Sequence, residues 1–229
     1  AELSGSKYRL TANLDLASLS GWNLPYFSGA EIDGTGHTLS NLSVNQPYND
    51  QVGFVGTLES GSSLHDIVIV DASVRGGYWA VGGLVGWNMG DVSNSHVTGA
   101  VAGYQSVGGL IGENYGTITR SFSAGTVTAS DSYAGGLVGR NYGQVTDSFS
   151  QATSVQGASD VGGLFGTNWG TSSNSHYNID QTQINGVAGV VTEGGLYGSQ
   201  FADWQAGGLS LNVTNYLTTD ANGYYQLGS

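Results

Sequence analysis

Cysteine is absent from this 229-residue chain, which excludes a disulfide framework and any thiolate metal site. Proline is nearly absent as well, at 2 residues, so neither a Pro-rich linker nor a polyproline rod fits. Charge is scarce at 10% and one-sided: 17 acidic residues against 5 basic give a formal net charge of −12. Nucleic acid and anionic membrane surfaces both require clustered Lys or Arg, so neither is expected as a partner. Long apolar runs are missing too. A stretch such as Ile67 to Val70 is far too short to insert in a membrane, and Ala1-Glu2-Leu3-Ser4 has no signal-peptide character. If the chain is exported, it is expected to be a processed piece of a larger polypeptide.

What is abundant is glycine, 39 residues, together with Val, Ile, Leu, Tyr, Phe and Trp recurring along most of the length, which argues for order. The glycines fall in a repeat. Val52-Gly53-Phe54-Val55-Gly56, Val81-Gly82-Gly83-Leu84-Val85-Gly86, Val107-Gly108-Gly109-Leu110-Ile111-Gly112, Ala134-Gly135-Gly136-Leu137-Val138-Gly139 and Val161-Gly162-Gly163-Leu164-Phe165-Gly166 align, their starts 29, 26, 27 and 27 residues apart. The last four continue into Asn88-Met89-Gly90, Asn114-Tyr115-Gly116, Asn141-Tyr142-Gly143 and Asn168-Trp169-Gly170, followed by Ser95, Ser121, Ser148 and Ser175.

A period of about 27 residues suits one coil of three short strands of about five residues each with turns between them. Gly and Asn disfavour helix and are expected to supply the positive-φ corners. The predicted fold is all-β, a right-handed parallel β-helix (β-solenoid) whose apolar columns stack into a shared core. Leu84, Leu110, Leu137 and Leu164 form one such column, and Val92, Ile118 and Val145 another. Leu84 and Val85 are neighbours that a regular strand would point to opposite faces, so the repeat leaves open which of them faces in. Residues 1–178 read as solenoid, with lead-in coils over 1–51 and repeats over 52–178. Residues 179–229 read as irregular final coils or a C-terminal cap containing the aromatic-rich stretch Tyr197 to Trp204.

At these residues the sequence resembles the GLUG repeat family, whose units run close to V-G-G-L-V-G-x-N-x-G followed by a hydrophobic residue and N-S. The lead-in, with Leu10-Thr11-Ala12-Asn13-Leu14-Asp15-Leu16 and Ile32-Asp33-Gly34-Thr35-Gly36-His37-Thr38-Leu39, is similar to the region preceding such repeats in filamentous-haemagglutinin-like adhesins. GLUG repeats also occur in bacterial immunoglobulin A-specific metallopeptidases. The resemblance implies an extracellular or bacterial cell-surface protein rather than one activity. The four histidines, His37, His65, His96 and His176, form no pair at i and i+4 around a glutamate, so a zinc peptidase centre is not expected in this chain.

The candidate chemistry is weak against its structural alternatives. Opposite charges fall one coil apart at Arg120 and Asp147 and at Glu113 and Arg140, as cross-strand pairs would. Polysaccharide-active β-helix enzymes need acids gathered on neighbouring coils, whereas Asp91, Asp131, Asp147 and Asp160 occupy different repeat positions. The serine and asparagine columns read as side-chain ladders, and Asp33-Gly34-Thr35-Gly36-His37 lacks the acid density calcium prefers. Ranks of Thr-x-Thr that could order ice are interrupted on both sides. The best binding candidate is an aromatic column, Met89, Tyr115, Tyr142 and Trp169, flanked by Trp87, which either stacks on sugar rings or shields the coil edge. The chain is therefore read as non-catalytic and without cofactor or metal, a structural or adhesive solenoid whose partner is a glycan or host-surface protein. The alternatives are an accessory region of a secreted enzyme or a β-helix enzyme acting on polysaccharide.

Overall fold

The computed structural model describes residues 3–19, 24–207, 218–219 and 225–226. It is a β-solenoid in which equivalent strands pair in parallel from coil to coil. A full coil carries four strands, not the three expected. In the coil beginning at Trp79 these are Trp79–Gly82, Val85–Asn88, Asp91–Ser93 and His96–Gly103, and they belong to sheets I to IV respectively. Sheets II and III each run through seven strands, beginning at Leu3–Ser4 and Lys7–Arg9, so the lead-in coils share both sheets with the repeats. Among the described residues sheet I has four strands, from Trp79–Gly82 to Ser159–Gly162.

The extra strand arises because the chain bends at Gly83-Leu84. That bend also answers the parity question: Leu84, Leu110, Leu137 and Leu164 are fully buried at the corner, and Val85, Ile111, Val138 and Phe165 are buried on the next strand. Neighbours in sequence both face in because the backbone direction changes between them. Val92, Ile118 and Val145 close the core from sheet III, and Val74, Val101, Val127 and Val155 from sheet IV.

The motif glycines do not serve as left-handed corners. Positive φ falls instead on Ala80, Ser106, Tyr133 and Asp160 before the bend, and on Asn94, Arg120, Asp147 and Asn174 before the serine column. Arg120 and Tyr133 are poor residues for that region, and their placement rests on stacking with the coils on either side. The glycines serve close approach. A side chain at Gly139 would lie 2.6 Å from Gly112 O, 2.6 Å from Ser106 C and 2.7 Å from Val107 N, all backbone, because sheets I and II meet without room for a Cβ. A Cβ at Gly83 would meet Gly109 O at 2.5 Å and Val97 of sheet IV at 2.7 Å.

The far end of the core is closed by Tyr177, which takes the inward position held by Val97, Ser123 and Ser150 in earlier coils. Its buried ring covers Gly163, and its hydroxyl donates to Val190 O at 2.9 Å and accepts from Thr192 N at 2.8 Å, pinning the following loop across the last coil. The expected aromatic-rich stretch forms helix α1, Gly198–Gly207. Phe201 and Trp204, three apart on one helix face, cover an outward ladder on the flank of sheet IV. In that ladder His96 and Phe122 stack at 4.4 Å, Phe122 and Phe149 at 4.7 Å, and Trp204 meets His176 edge-on at 5.0 Å.

His96 gives the fold a pH dependence. Burial alone pushes its pKa down to about 4, and among the described residues its Nδ1 has no hydrogen-bond partner. The unfolded chain, with a histidine near 6.5, therefore binds the proton first, so stability is full above about pH 6.5 and is lost as pH falls toward 4, by about 3 kcal/mol. His176 is lowered as well, by burial that outweighs its bond to Gly194 O, and adds in the same direction. Urea titrations between pH 4 and 7 are expected to show this slope. His96→Phe, which continues the ring stack, is expected to flatten it; an unchanged slope in that variant would assign the effect elsewhere.

Candidate functional site

The aromatic column rises from the tight turn that follows sheet II. Asn88 Oδ1 accepts from Gly90 N at 3.2 Å, closing a turn that pushes the intervening residue outward. Asn168 repeats the arrangement with Gly170 N at 3.1 Å. The asparagines also bond to one another. Asn88 Nδ2 donates to Asn114 Oδ1 at 2.7 Å, Asn114 to Asn141 and Asn141 to Asn168 at 2.8 Å each, and Asn168 to Glu193 Oε1 at 2.6 Å. With their amides satisfied inside the wall, the turns above them repeat with little variation.

Tyr115, Tyr142 and Trp169 are accordingly in register and exposed. Tyr115 and Tyr142 stack at 4.6 Å with planes 9° apart, and Tyr142 and Trp169 at 5.0 Å. Trp87 joins the lower end, 5.6 Å from Tyr115 and 5.4 Å from Trp79, although it stands in the sheet II column Thr57, Trp87, Glu113, Arg140 rather than at the turn. Met89 starts the turn column half-buried, its N–H donating to Leu58 O. Stacking has a consequence for recognition: each inner ring covers its neighbour's face, so Tyr115 and Tyr142 present edges and hydroxyls to solvent.

Beneath the rings lies an ion pair between Glu113 and Arg140, register partners on adjacent coils as the sequence suggested. It is more enclosed than a cross-strand surface pair. Glu113 is 1% exposed, its Oε2 accepts from the Tyr115 hydroxyl at 3.5 Å, and the Arg140 guanidinium lies 4.7 Å over the Tyr133 ring. Burial and the Glu113 charge raise the Tyr115 pKa, so its hydroxyl remains a donor at neutral pH. At the other charge column, Arg120 Nε donates to Asn94 Oδ1 at 2.8 Å, and Asp147 accepts from Asn174 at 2.6 Å.

The serine column is engaged with the backbone. Ser95, Ser121 and Ser148 are buried; each Oγ donates to the carbonyl two residues back at 2.8 Å, and Ser121 and Ser148 accept the N–H of the serine one coil earlier. The hydroxyls are backbone cross-links, the internal ladder foreseen from the spacing. The acids of the lead-in gather differently from expectation. Asp33 lies with His65 and Asp66, one coil on, rather than with His37, and the three donor atoms fall within 4.8 Å of one another. Lys7 and Arg9 sit on this group, 2.8 Å from Glu31 and 3.0 Å from Asp33. Burial lowers the His65 pKa, but hydrogen bonds to Asp66 and Glu31 outweigh it and leave the net shift upward. The cluster thus sets three carboxylates, Glu31, Asp33 and Asp66, against two fixed cations and a histidine whose proton affinity those carboxylates raise.

Fold and columns together define a β-solenoid repeat protein. Residues 77–102 and 103–128 match the family described as "The GLUG motif", the resemblance drawn from the sequence. Over 105 residues, 42% of this chain, it is 34% identical to Halomucin of Haloquadratum walsbyi, of which the chain covers 1%. A solved chain from Bacteroides ovatus, provisionally described as an immunoglobulin A1 protease, matches with a TM-score of 0.69 at 18% identity, over 99% of this chain and 86% of that one. At that identity the likeness shows the fold alone. Among the described residues, no helix is long and apolar enough to cross a membrane.

Proposed function

We propose that this chain is a non-catalytic, adhesive stretch of a large extracellular surface protein, a rod that holds recognition residues away from the surface bearing it. The observation carrying this reading is the coil-to-coil parallel ladder, whose outward side chains recur once per coil while its asparagine and serine columns are consumed in wall-building hydrogen bonds. Similarity to one short part of Halomucin supports a place within a long repeat-bearing polypeptide. The acidic surface, with few lysines, favours solubility over aggregation.

The column Trp87, Met89, Tyr115, Tyr142 and Trp169 has two shares in this role. Its stacked rings stiffen the turn edge, and its rim of ring edges and hydroxyls is a surface for glycan or host protein. A glycan array with wild type and Tyr115→Ala/Tyr142→Ala tests the second share, with unfolding midpoints measured on both. The adhesive rim predicts glycans retained by wild type and lost by the variant. Retention unaffected by the pair would leave the column only its stiffening role, and an array that retains nothing would remove adhesion to sugars altogether.

A further inference from the structure

A second row of rings stands at the corner between sheets IV and I, apart from the column just described. Tyr48, Tyr78 and Tyr104 are 83%, 61% and 48% exposed, and Tyr78 and Tyr104 meet edge to face at 6.5 Å and 72°. Unlike the stacked column, this arrangement leaves ring faces open to solvent. The tyrosines wall a groove of ≈ 470 Å³ whose floor is the outward sheet IV column Arg75, Ala102 and Thr128, with Ser130 at its rim. A small alanine between two polar residues gives the floor its depth.

Arg75 supplies the charge. Lys7 and Arg9 have acidic partners, Arg140 has Glu113, and Arg120 is bonded to Asn94. Arg75 is exposed and has no ion pair among the described residues, although the chain carries 17 acids. Asp131, next in sequence to the rim residue Ser130, accepts from Gln105 Nε2 at 3.2 Å and from Ser132 Oγ at 3.2 Å. Open aromatic faces suit the apolar faces of sugar rings, hydroxyls suit their rims, and an uncommitted guanidinium on a groove floor suits a carboxylate or sulfate. A peptide would need apolar pockets or a free strand edge, and this groove offers tyrosine faces over a paired strand.

We infer that the groove walled by Tyr48, Tyr78 and Tyr104 and floored by Arg75 binds an acidic saccharide, its ring stacked on tyrosine and its anionic group on Arg75. The inference rests on the adhesive reading only in taking the partner to be carbohydrate. Calorimetric titration of the full chain with oligogalacturonate and with chondroitin sulfate separates a carboxylated from a sulfated ligand, with cello-oligosaccharide and poly-glutamate as controls. The expected result is saturable binding of at least one acidic saccharide, weakened about tenfold or more by Arg75→Gln. Tyr78→Ala/Tyr104→Ala, at exposed positions, is expected to abolish it, and Tyr115→Ala/Tyr142→Ala to leave it unchanged. Equal affinity for the neutral saccharide or for poly-glutamate, no effect of Arg75→Gln, or no binding of either acidic saccharide would overturn it. Loss of binding in the Tyr115/Tyr142 pair instead would move the sugar site to the stacked column and keep the adhesive reading.

Discussion

Gly139→Val is expected to cost about 4 kcal/mol or more, at the severe end of single substitutions. The first atom beyond Cα would lie 2.6 to 2.7 Å from three backbone atoms on two strands, and no side chain can rotate away to relieve the contact. Sheets I and II must separate, and separation breaks the pairing on both sides of the coil. Because each coil packs mainly against its immediate neighbours, the damage should be local, and the denaturation curve should split into two transitions. Urea unfolding followed by tryptophan fluorescence and hydrogen exchange would read both. A single transition with an unchanged midpoint would mean that the sheets have slack at this position.

Arg140→Met is expected to cost about 3 to 5 kcal/mol, since it leaves the Glu113 carboxylate buried without its counter-charge. The double variant Glu113→Gln/Arg140→Met should recover most of that loss, because the penalty belongs to the orphaned charge rather than to the pair. A double-mutant cycle from equilibrium unfolding measures the coupling. Additive losses would show that water reaches Glu113 beneath the rings and solvates it.

Much of the fold was legible because the repeat is a positional code. Leucines at 84, 110, 137 and 164 can be equivalent only if successive coils overlie one another, and they do. Local geometry was less legible. The bend at Gly83-Leu84 adds a fourth strand and turns two neighbouring side chains inward, which strict alternation forbids. Glycines readable as flexible corners are instead thin spacers, since a sequence shows where side chains are missing but not whether conformation or clearance requires it. Helix α1 was missed because its stretch carries one apolar pair, Phe201 and Trp204, and its partners lie far away in sequence.

The site was legible in part. The stacked column follows from Asn-x-Gly at regular spacing, but its near-parallel ring planes, which hide the faces, do not. Two further one-coil spacings are present in the sequence. Phe122 and Phe149 directly follow the serine column one coil apart, and Tyr78 and Tyr104 follow Gly77 and Gly103 one coil apart. Tyr48 belongs to the lead-in, where no motif marks the register, so only the folded chain brings it beside them.

The asparagine row has a direction. Each amide points its N–H end toward the next coil, so the small dipoles align head to tail along the rod and leave an electropositive tip at Asn168. The carboxylate of Glu193 meets that tip, as an anion does at the start of a helix. A spliced-in coil would therefore have to carry its amide in the same sense, and the rod could grow by whole units in its middle while keeping one anionic terminator.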